Sequence, residues 1–265
     1  MKNFYFSEEE RRSIAADLYE AEKSNKPIDT LTSRYPEITL DDAYDIQKFG
    51  LDMRLADGAR IVGRKIGITS RGMMQMLNCD SPDYGYLLDT MMLLEGSACH
   101  TDELNSPRLE GEIAFIMGED IWGPAVTPAN IMNATAYIVP CLELCDLRYN
   151  SWKITVRDTI SDNAGAARYI IGGAPKKISE VNLRNIGMVF EKNGDLISSA
   201  AGVEVMGNPI NAMTWLVNKL AEYGDGLKKG DIVLSGSFVA AAECRKGDSF
   251  ALSVDGFPTL SLRFD

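Results

Sequence analysis

Two glutamates, Glu110 and Glu112, stand two residues apart in Arg108-Leu-Glu-Gly-Glu-Ile-Ala-Phe115. In a β-rich run that spacing sends both carboxylates from one face of a strand. A third acid, Glu143, sits in the next apolar run, Tyr137-Ile-Val-Pro-Cys-Leu-Glu-Leu144. Three converging carboxylates would offer hard oxygen donors to Mg²⁺ or Mn²⁺ and leave coordination positions for a substrate. An alternating strand with its acids on a wet face reads the same locally, so the pair alone leaves both interpretations open.

The rest of the titratable inventory narrows the chemistry. Ser-His-Asp, Cys-His and two-His metal sites all need histidine, and the chain has one, His100, in the polar stretch Ser97-Ala-Cys-His-Thr-Asp102 that suits a solvated side chain. General acid–base work therefore falls to Asp, Glu, Lys or Tyr. Five scattered cysteines argue against a disulfide framework. Cys141 and Cys145, without a second Cys/His pair, read as small hydrophobes of a core strand. Met73-Met-Gln-Met76 reads as core or lid packing.

A length of 265 residues with 45% hydrophobic content allows one large core, or a core with a smaller N-terminal layer. A formal charge of -11 opposes binding to nucleic acid or to an anionic membrane. An anionic substrate would then need a local cation, and a metal is one. No apolar run approaches the roughly 18 residues of a membrane span, and the first ten residues lack the apolar segment of a signal peptide. The expected location is cytoplasmic.

These residues must be positioned by elements that are largely readable. Ser7-Glu-Glu-Glu10 predicts a helix to about Glu22, and Thr39-Leu-Asp-Asp42 a second to about Leu55. A strand is expected from about Arg60 into Gly63-Arg-Lys-Ile-Gly67. Thr127-Pro128 and Asn208-Pro209 predict helices over 128–135 and 209–223. Asn193-Gly194 and Asp255-Gly256 mark hairpins. Strands dominate after residue 105 without alternating with helices, which predicts an α+β fold, with an N-terminal helical region over 1–60 and a β-rich catalytic core over 61–265 as one integrated unit.

With the glutamates in place, the chain resembles the 2-hydroxypenta-2,4-dienoate (2-keto-4-pentenoate) hydratases of aromatic meta-cleavage pathways, members of the fumarylacetoacetate hydrolase superfamily. The resemblance runs through Leu31-Thr-Ser-Arg34, Asp41-Asp-Ala-Tyr44, Gly63-Arg-Lys-Ile-Gly-Ile-Thr-Ser70, Ser81-Pro-Asp-Tyr-Gly-Tyr-Leu87, Arg108-Leu-Glu-Gly-Glu-Ile113 and Pro140-Cys-Leu-Glu143. It continues through Trp152-Lys-Ile154, Asp158-Thr-Ile-Ser-Asp-Asn163, Gly207-Asn-Pro209 and Leu234-Ser-Gly-Ser237. It implies a β-rich core of that superfamily's type, Glu110, Glu112 and Glu143 as ligands of Mg²⁺ or Mn²⁺, Lys65 and Asp83 as catalytic residues, and Asp158 and Asn163 near the substrate. The implied reaction is metal-dependent addition of water to 2-hydroxypenta-2,4-dienoate or a related 2-oxo-enoate, giving a 4-hydroxy-2-oxo acid.

The implied partners are a small anionic 2-oxo or 2-hydroxy acid, further copies of the chain in a homo-oligomer, and another enzyme of the same pathway. Two positions depart from the family pattern: Leu147 and Gly165 stand where many relatives carry serine. The rival reading is 2-oxo-3-hexenedioate (4-oxalocrotonate) decarboxylase, towards which Arg148-Tyr149 leans. Asp83 leans back towards hydration, which demands more proton handling, and similar decarboxylases tend to be apolar there.

Overall fold

The computed structural model describes residues 2–265. Three helices open the chain: α1 (Glu8–Ser24), the single turn α2 (Leu31–Arg34) and α3 (Leu40–Ala56). The two long ones begin at reciprocal capping boxes, Ser7 with Glu10 and Thr39 with Asp42, each satisfying two amides near the helix start. The buried Asp42 carboxylate also accepts from the amides of Tyr5 and Phe6 and faces Arg11, tying the N-terminal segment to both helices. Ile14 and Leu18 of α1 and Ile46 and Phe49 of α3 then close over Leu147 and Tyr149 from the second half of the chain. The helical region is thus packed onto the β-rich part.

The remaining elements are β1 (Ile61–Gly67), α4 (Arg71–Met76), β2 (Asp83–Leu88), β3 (Ala98–Cys99), β4 (Arg108–Met117), α5 (Pro128–Ala134), β5 (Thr135–Cys145), α6 (Val156–Ser161), β6 (Ala166–Ile171), β7 (Gly187–Lys192), β8 (Asp195–Ala201), α7 (Pro209–Ala221), β9 (Ile232–Leu234), β10 (Ala242–Glu243), β11 (Ser249–Val254) and β12 (Leu260–Phe264). The larger sheet runs β2-β1-β9-β4-β5-β6, with β10 on β4; the smaller runs β3-β12-β11-β7-β8. The β7–β8 hairpin turns through Asn193 and Gly194 with φ 55° and 86°, the left-handed pair that a tight two-residue turn requires. This is an α+β fold that opens with helices, with α4 to α7 set between the strands that follow.

Leu109, Ile113, Phe115, Leu142 and Leu144 on one face of β4 and β5 share a core with Met188, Phe190, Phe250, Leu252 and Leu262 of the smaller sheet. Gly111 sits where the sheets meet most closely: a Cβ there would lie 2.6 Å from Leu252 Cδ1. The opposite face of β4 and β5 carries the acids, and it packs around Ala114, Val139 and Cys141 against Leu51 of α3 and Leu234 of β9.

Three short helices, α2, α4 and α6, were not anticipated from the sequence. α4 contains the methionine cluster, and none of its residues is buried, with Met73 41% and Met76 69% exposed. The expectation of core packing for that cluster is therefore corrected. Among the described residues no helix is long and apolar enough to cross a membrane.

Candidate active site

Cross-strand register completes the acid cluster. In the antiparallel β4–β5 pair, Glu110 stands directly opposite Glu143, and Glu112 opposite Cys141. Alternation then sends Glu110, Glu112, Cys141, Glu143 and Cys145 from one face. Glu112 and Glu143 are 0% and 1% exposed, while Glu110 is partly exposed. Burial, reinforced by the Glu143 charge, pushes the Glu110 carboxyl up to about 7, and burial with the charges of Glu143 and Glu110 drives Glu112 well above its ordinary range.

One Glu112 oxygen accepts from the Gly236 amide at 2.8 Å. The other Glu112 oxygen and both Glu143 oxygens have no hydrogen-bond partner among the described residues. Buried polar atoms are seldom left in that condition, and mutually repelling carboxylates still less so. A hard divalent cation answers both problems, and the donor set fits one.

β1 brings a counter-charge. Lys65 is 3% exposed; its Nζ donates to the Ala164 carbonyl at 2.9 Å and lies 3.1 Å from Glu143 Oε1. Burial favours the neutral amine, but the surrounding acids, Glu143 first, outweigh it and hold the pKa well above its ordinary value. Lys65 is therefore an ammonium. Two glycines make its recess. Gly85 faces Lys65 across the β1–β2 pair, and a Cβ there would lie 2.3 Å from the Asn163 carbonyl oxygen.

Gly67 faces Asp83 in the same pair, and a Cβ on it would lie 2.3 Å from Asp83 Oδ1 and 3.3 Å from Lys65 Nζ. Asp83 opens β2 and is buried, and its Oδ1 has no hydrogen-bond partner among the described residues. Burial pushes its carboxyl up, opposed by the Lys65 charge and the Thr159 hydroxyl. A buried carboxyl displaced towards neutrality beside an ammonium is suited to carrying a proton. Gly67→Ala is expected to displace Asp83 and lower kcat by about 10- to 100-fold, since misplacement by an ångström costs rates of that order. Thermal melting should change little; steady-state kinetics and calorimetry on the variant check both.

The carbonyl that holds Lys65 belongs to a strained turn. Asn163, Ala164 and Gly165 take φ 52°, 52° and 71°, three left-handed residues in succession, of which alanine is the least suited. The Asn163 side chain clasps β2, accepting from the Tyr86 amide at 2.8 Å and donating to its carbonyl at 3.0 Å. Asp158 is fully buried and accepts four hydrogen bonds, from the Thr32 amide and hydroxyl and from the Thr155 amide and hydroxyl, at 2.6–3.0 Å.

Both residues, expected near the substrate, brace the fold: Asn163 the turn, Asp158 the start of α6 and its tie to α2. Asp158→Ala is expected to cost about 2–4 kcal/mol, two amides and two hydroxyls, all part-buried, losing their acceptor at once. Metal affinity of the folded protein should stay within a few-fold. Denaturant titration and a metal-binding isotherm test the two halves separately.

The cluster also holds a residue read from the sequence as packing. Cys145 Sγ lies 3.7 Å from Glu110 Oε2, and Glu110, Glu143 and Cys145 offer ligand atoms that all fall within 4.8 Å of one another, a tighter trio than one including Glu112. Its i+2 spacing from Glu143 was the available signal. Ala164, Thr159 and Gly236 had no comparable one, because they reach the site through the fold.

The two departures from the family pattern meet: a Cβ on Gly165 would lie 3.3 Å from Leu147 Cδ2, and Leu147 is buried among the N-terminal helices. They form one packing contact. Arg148 is paired with the buried Asp162 and donates to the Asp162 and Ala166 carbonyls. His100 is exposed, 2.7 Å from the exposed Asp265.

No protein-family model matches the chain. It is 39% identical over 249 residues to 2-hydroxyhexa-2,4-dienoate hydratase of Comamonas testosteroni, covering 93% of this chain and 94% of that protein. It is 40% identical over 257 residues to 2-oxo-hept-4-ene-1,7-dioate hydratase of Escherichia coli, covering 95% and 96%. Among solved structures, 4-oxalocrotonate decarboxylase from Pseudomonas putida G7, complexed with magnesium and adipate, superposes with a TM-score of 0.96 at 32% identity, covering 99% of this chain and 100% of that one.

Proposed function

Because the chain belongs to the family of 2-hydroxypentadienoate (2-keto-4-pentenoate) hydratases, within the fumarylacetoacetate hydrolase superfamily, we propose that it is a metal-dependent hydro-lyase. Its substrate on this reading is 2-hydroxypenta-2,4-dienoate or a related 2-oxo-enoate of aromatic meta-cleavage catabolism, and its product a 4-hydroxy-2-oxo acid. The observation that carries the reading is the meeting of an unsatisfied buried carboxylate cluster with Asp83, whose Oδ1 is without a partner beside the Lys65 ammonium.

Glu110, Glu112 and Glu143 would hold Mg²⁺ or Mn²⁺, which when bound stabilises negative charge on the C2 oxygen of a 2-oxo acid. Lys65, pinned by the Ala164 carbonyl and Glu143, binds the substrate carboxylate or C2 oxygen. The dienol loses its C2 hydroxyl proton and gains one at C5 to become the conjugated ketone. Water then adds at C4, with a proton delivered to C3. Asp83 fits the proton traffic: its neutral form donates and its carboxylate accepts from the attacking water. Asn163 acts by positioning the turn that holds Lys65, and Asp158 by fixing the start of α6 against α2. The reading includes a homo-oligomer, which rests on resemblance to relatives alone.

One observation favours a second reading. The near-complete superposition on a 4-oxalocrotonate decarboxylase supports loss of carbon dioxide from 2-oxo-3-hexenedioate on the same scaffold. Asp83 weighs against it, since decarboxylation has no water to deprotonate. With Mg²⁺ the purified protein should consume 2-hydroxypenta-2,4-dienoate, followed by loss of its ultraviolet absorbance; chelation should abolish turnover and added Mg²⁺ restore it. Undiminished turnover in excess chelator would remove the metal from the account.

A further inference from the structure

We propose that Cys145 makes the glutamate cluster a mixed oxygen–sulfur site, in which a thiophilic divalent ion such as Cd²⁺ or Zn²⁺ binds through Cys145 Sγ together with Glu110 and Glu143, in competition with the hard ion. This rests on the assignment of the glutamates as metal ligands. Geometry supplies the first support: the three side chains offer ligand atoms within 4.8 Å of one another, a span that one ion can bridge. Glu143 supplies the second, independent support. It is 1% exposed; its Oε1 faces Lys65 Nζ at 3.1 Å, and its Oε2 has no partner among the described residues, so ligand capacity is held within the trio.

Strand parity explains why sulfur is there at all. Cys145 follows Glu143 by two residues on β5, and both leave the face that carries Glu110. Mg²⁺ and Mn²⁺ prefer oxygen and would leave the thiol unligated; in the structure it donates to Glu110 Oε2 at 3.7 Å. Cd²⁺ and Zn²⁺ accept thiolate readily. On their binding the S–H bond breaks, the sulfur lone pair goes to the ion, and the proton leaves to solvent. Cys141 is an internal control: it shares the face and is also buried, but it sits opposite Glu112 and outside the trio.

The test is a Cd²⁺ titration of the full-length, metal-free protein, following the ultraviolet thiolate-to-cadmium charge-transfer band. A band saturating at one ion per chain is expected, kept in Cys141→Ser, lost in Cys145→Ser, and suppressed by saturating Mn²⁺. Cys145→Ser should weaken Cd²⁺ binding by about 100-fold, of the order seen when a metal site loses a supporting group, while Mn²⁺ affinity changes only a few-fold.

A band that survives in Cys145→Ser would overturn the proposal, as would one lost in Cys141→Ser. Should Cys145→Ser fail to fold, the cadmium NMR shift of the wild-type adduct decides, one sulfur among oxygens being expected and none or two overturning it. Mn²⁺ binding by electron paramagnetic resonance separates the two levels. Mn²⁺ bound without any thiolate band defeats this inference alone, whereas neither ion bound defeats the glutamate assignment beneath it.

Discussion

Glu112→Gln is expected to abolish function while stabilising the metal-free protein. The substitution preserves shape and leaves an amide oxygen to accept from Gly236, but it removes one charged donor from a cluster already short of partners. Loss of a ligand should weaken Mg²⁺ or Mn²⁺ binding by about 100-fold or more, beyond the range of supporting residues, and turnover should fall with it. In chelator the sign reverses. A fully buried carboxylate that repels Glu110 and Glu143 opposes folding, and neutralising it should return about 1–3 kcal/mol, or about 2–4 °C in Tm per kcal/mol for a chain of this size.

The same repulsion sets a pH dependence. Glu110 titrates near 7 in the folded state against an ordinary value of 4.5, so the folded protein binds the proton more tightly than the unfolded chain. Stability of the chelated protein therefore falls as pH rises from about 4.5 through about 7. Glu112, displaced in the same direction, adds to that slope, and the glutamine variant should show a shallower one. Calorimetry in chelator across that range checks it. A variant that melts below wild type at neutral pH, or that binds metal as tightly, would refute the account of Glu112.

Lys65→Met should lower kcat/KM by on the order of 10²- to 10³-fold, the usual consequence of deleting a charge that meets developing anion in a dry site. Structural collapse would also lower activity, so metal affinity is the discriminating readout. Lys65 Nζ lies 3.1 Å from Glu143 Oε1 and competes with any cation there. Without it, Mn²⁺ should bind at least as tightly as in wild type. Lys65→Arg should not rescue turnover, because a planar guanidinium does not fit the recess left by Gly67 and Gly85 under the Ala164 carbonyl. Weaker metal binding in Lys65→Met would mean that the lysine organises the cluster and not the substrate.

The legible parts of this fold were those written in local chemistry. Capping residues announced α1, α3, α5 and α7, and Asn193-Gly194 announced its hairpin, because a cap or a left-handed turn is decided by a few adjacent residues. α4 and α6, six residues each, are too short for a period to show. The convergence of Glu143 on Glu110 is a matter of register, set by pairing between distant segments; local spacing shows only the i, i+2 relation of Glu110 and Glu112, and Glu143 joined them as an implied ligand through the resemblance.

Asp158 and Asn163 show the opposite case. Their place in a recurrent motif suggested substrate contact, and the fold gives both a bracing role, through backbone and hydroxyl partners, that no single sequence reveals. Cys145 is buried on a core strand, as expected, and also lies on the acidic face. Its parity with Glu143 placed it on the acidic face, whereas its apolar neighbours suggested only a core strand.

The central claim is that this site adds water to a dienol and does not expel carbon dioxide. The most direct test supplies Mg²⁺-loaded protein with 2-hydroxypenta-2,4-dienoate and with 2-oxo-3-hexenedioate, and follows the products of each by proton NMR with carbon dioxide measured alongside. The account predicts a 4-hydroxy-2-oxo acid from the first and no carbon dioxide from the second. Carbon dioxide from the enedioate, with the dienoate left without water added, would contradict it.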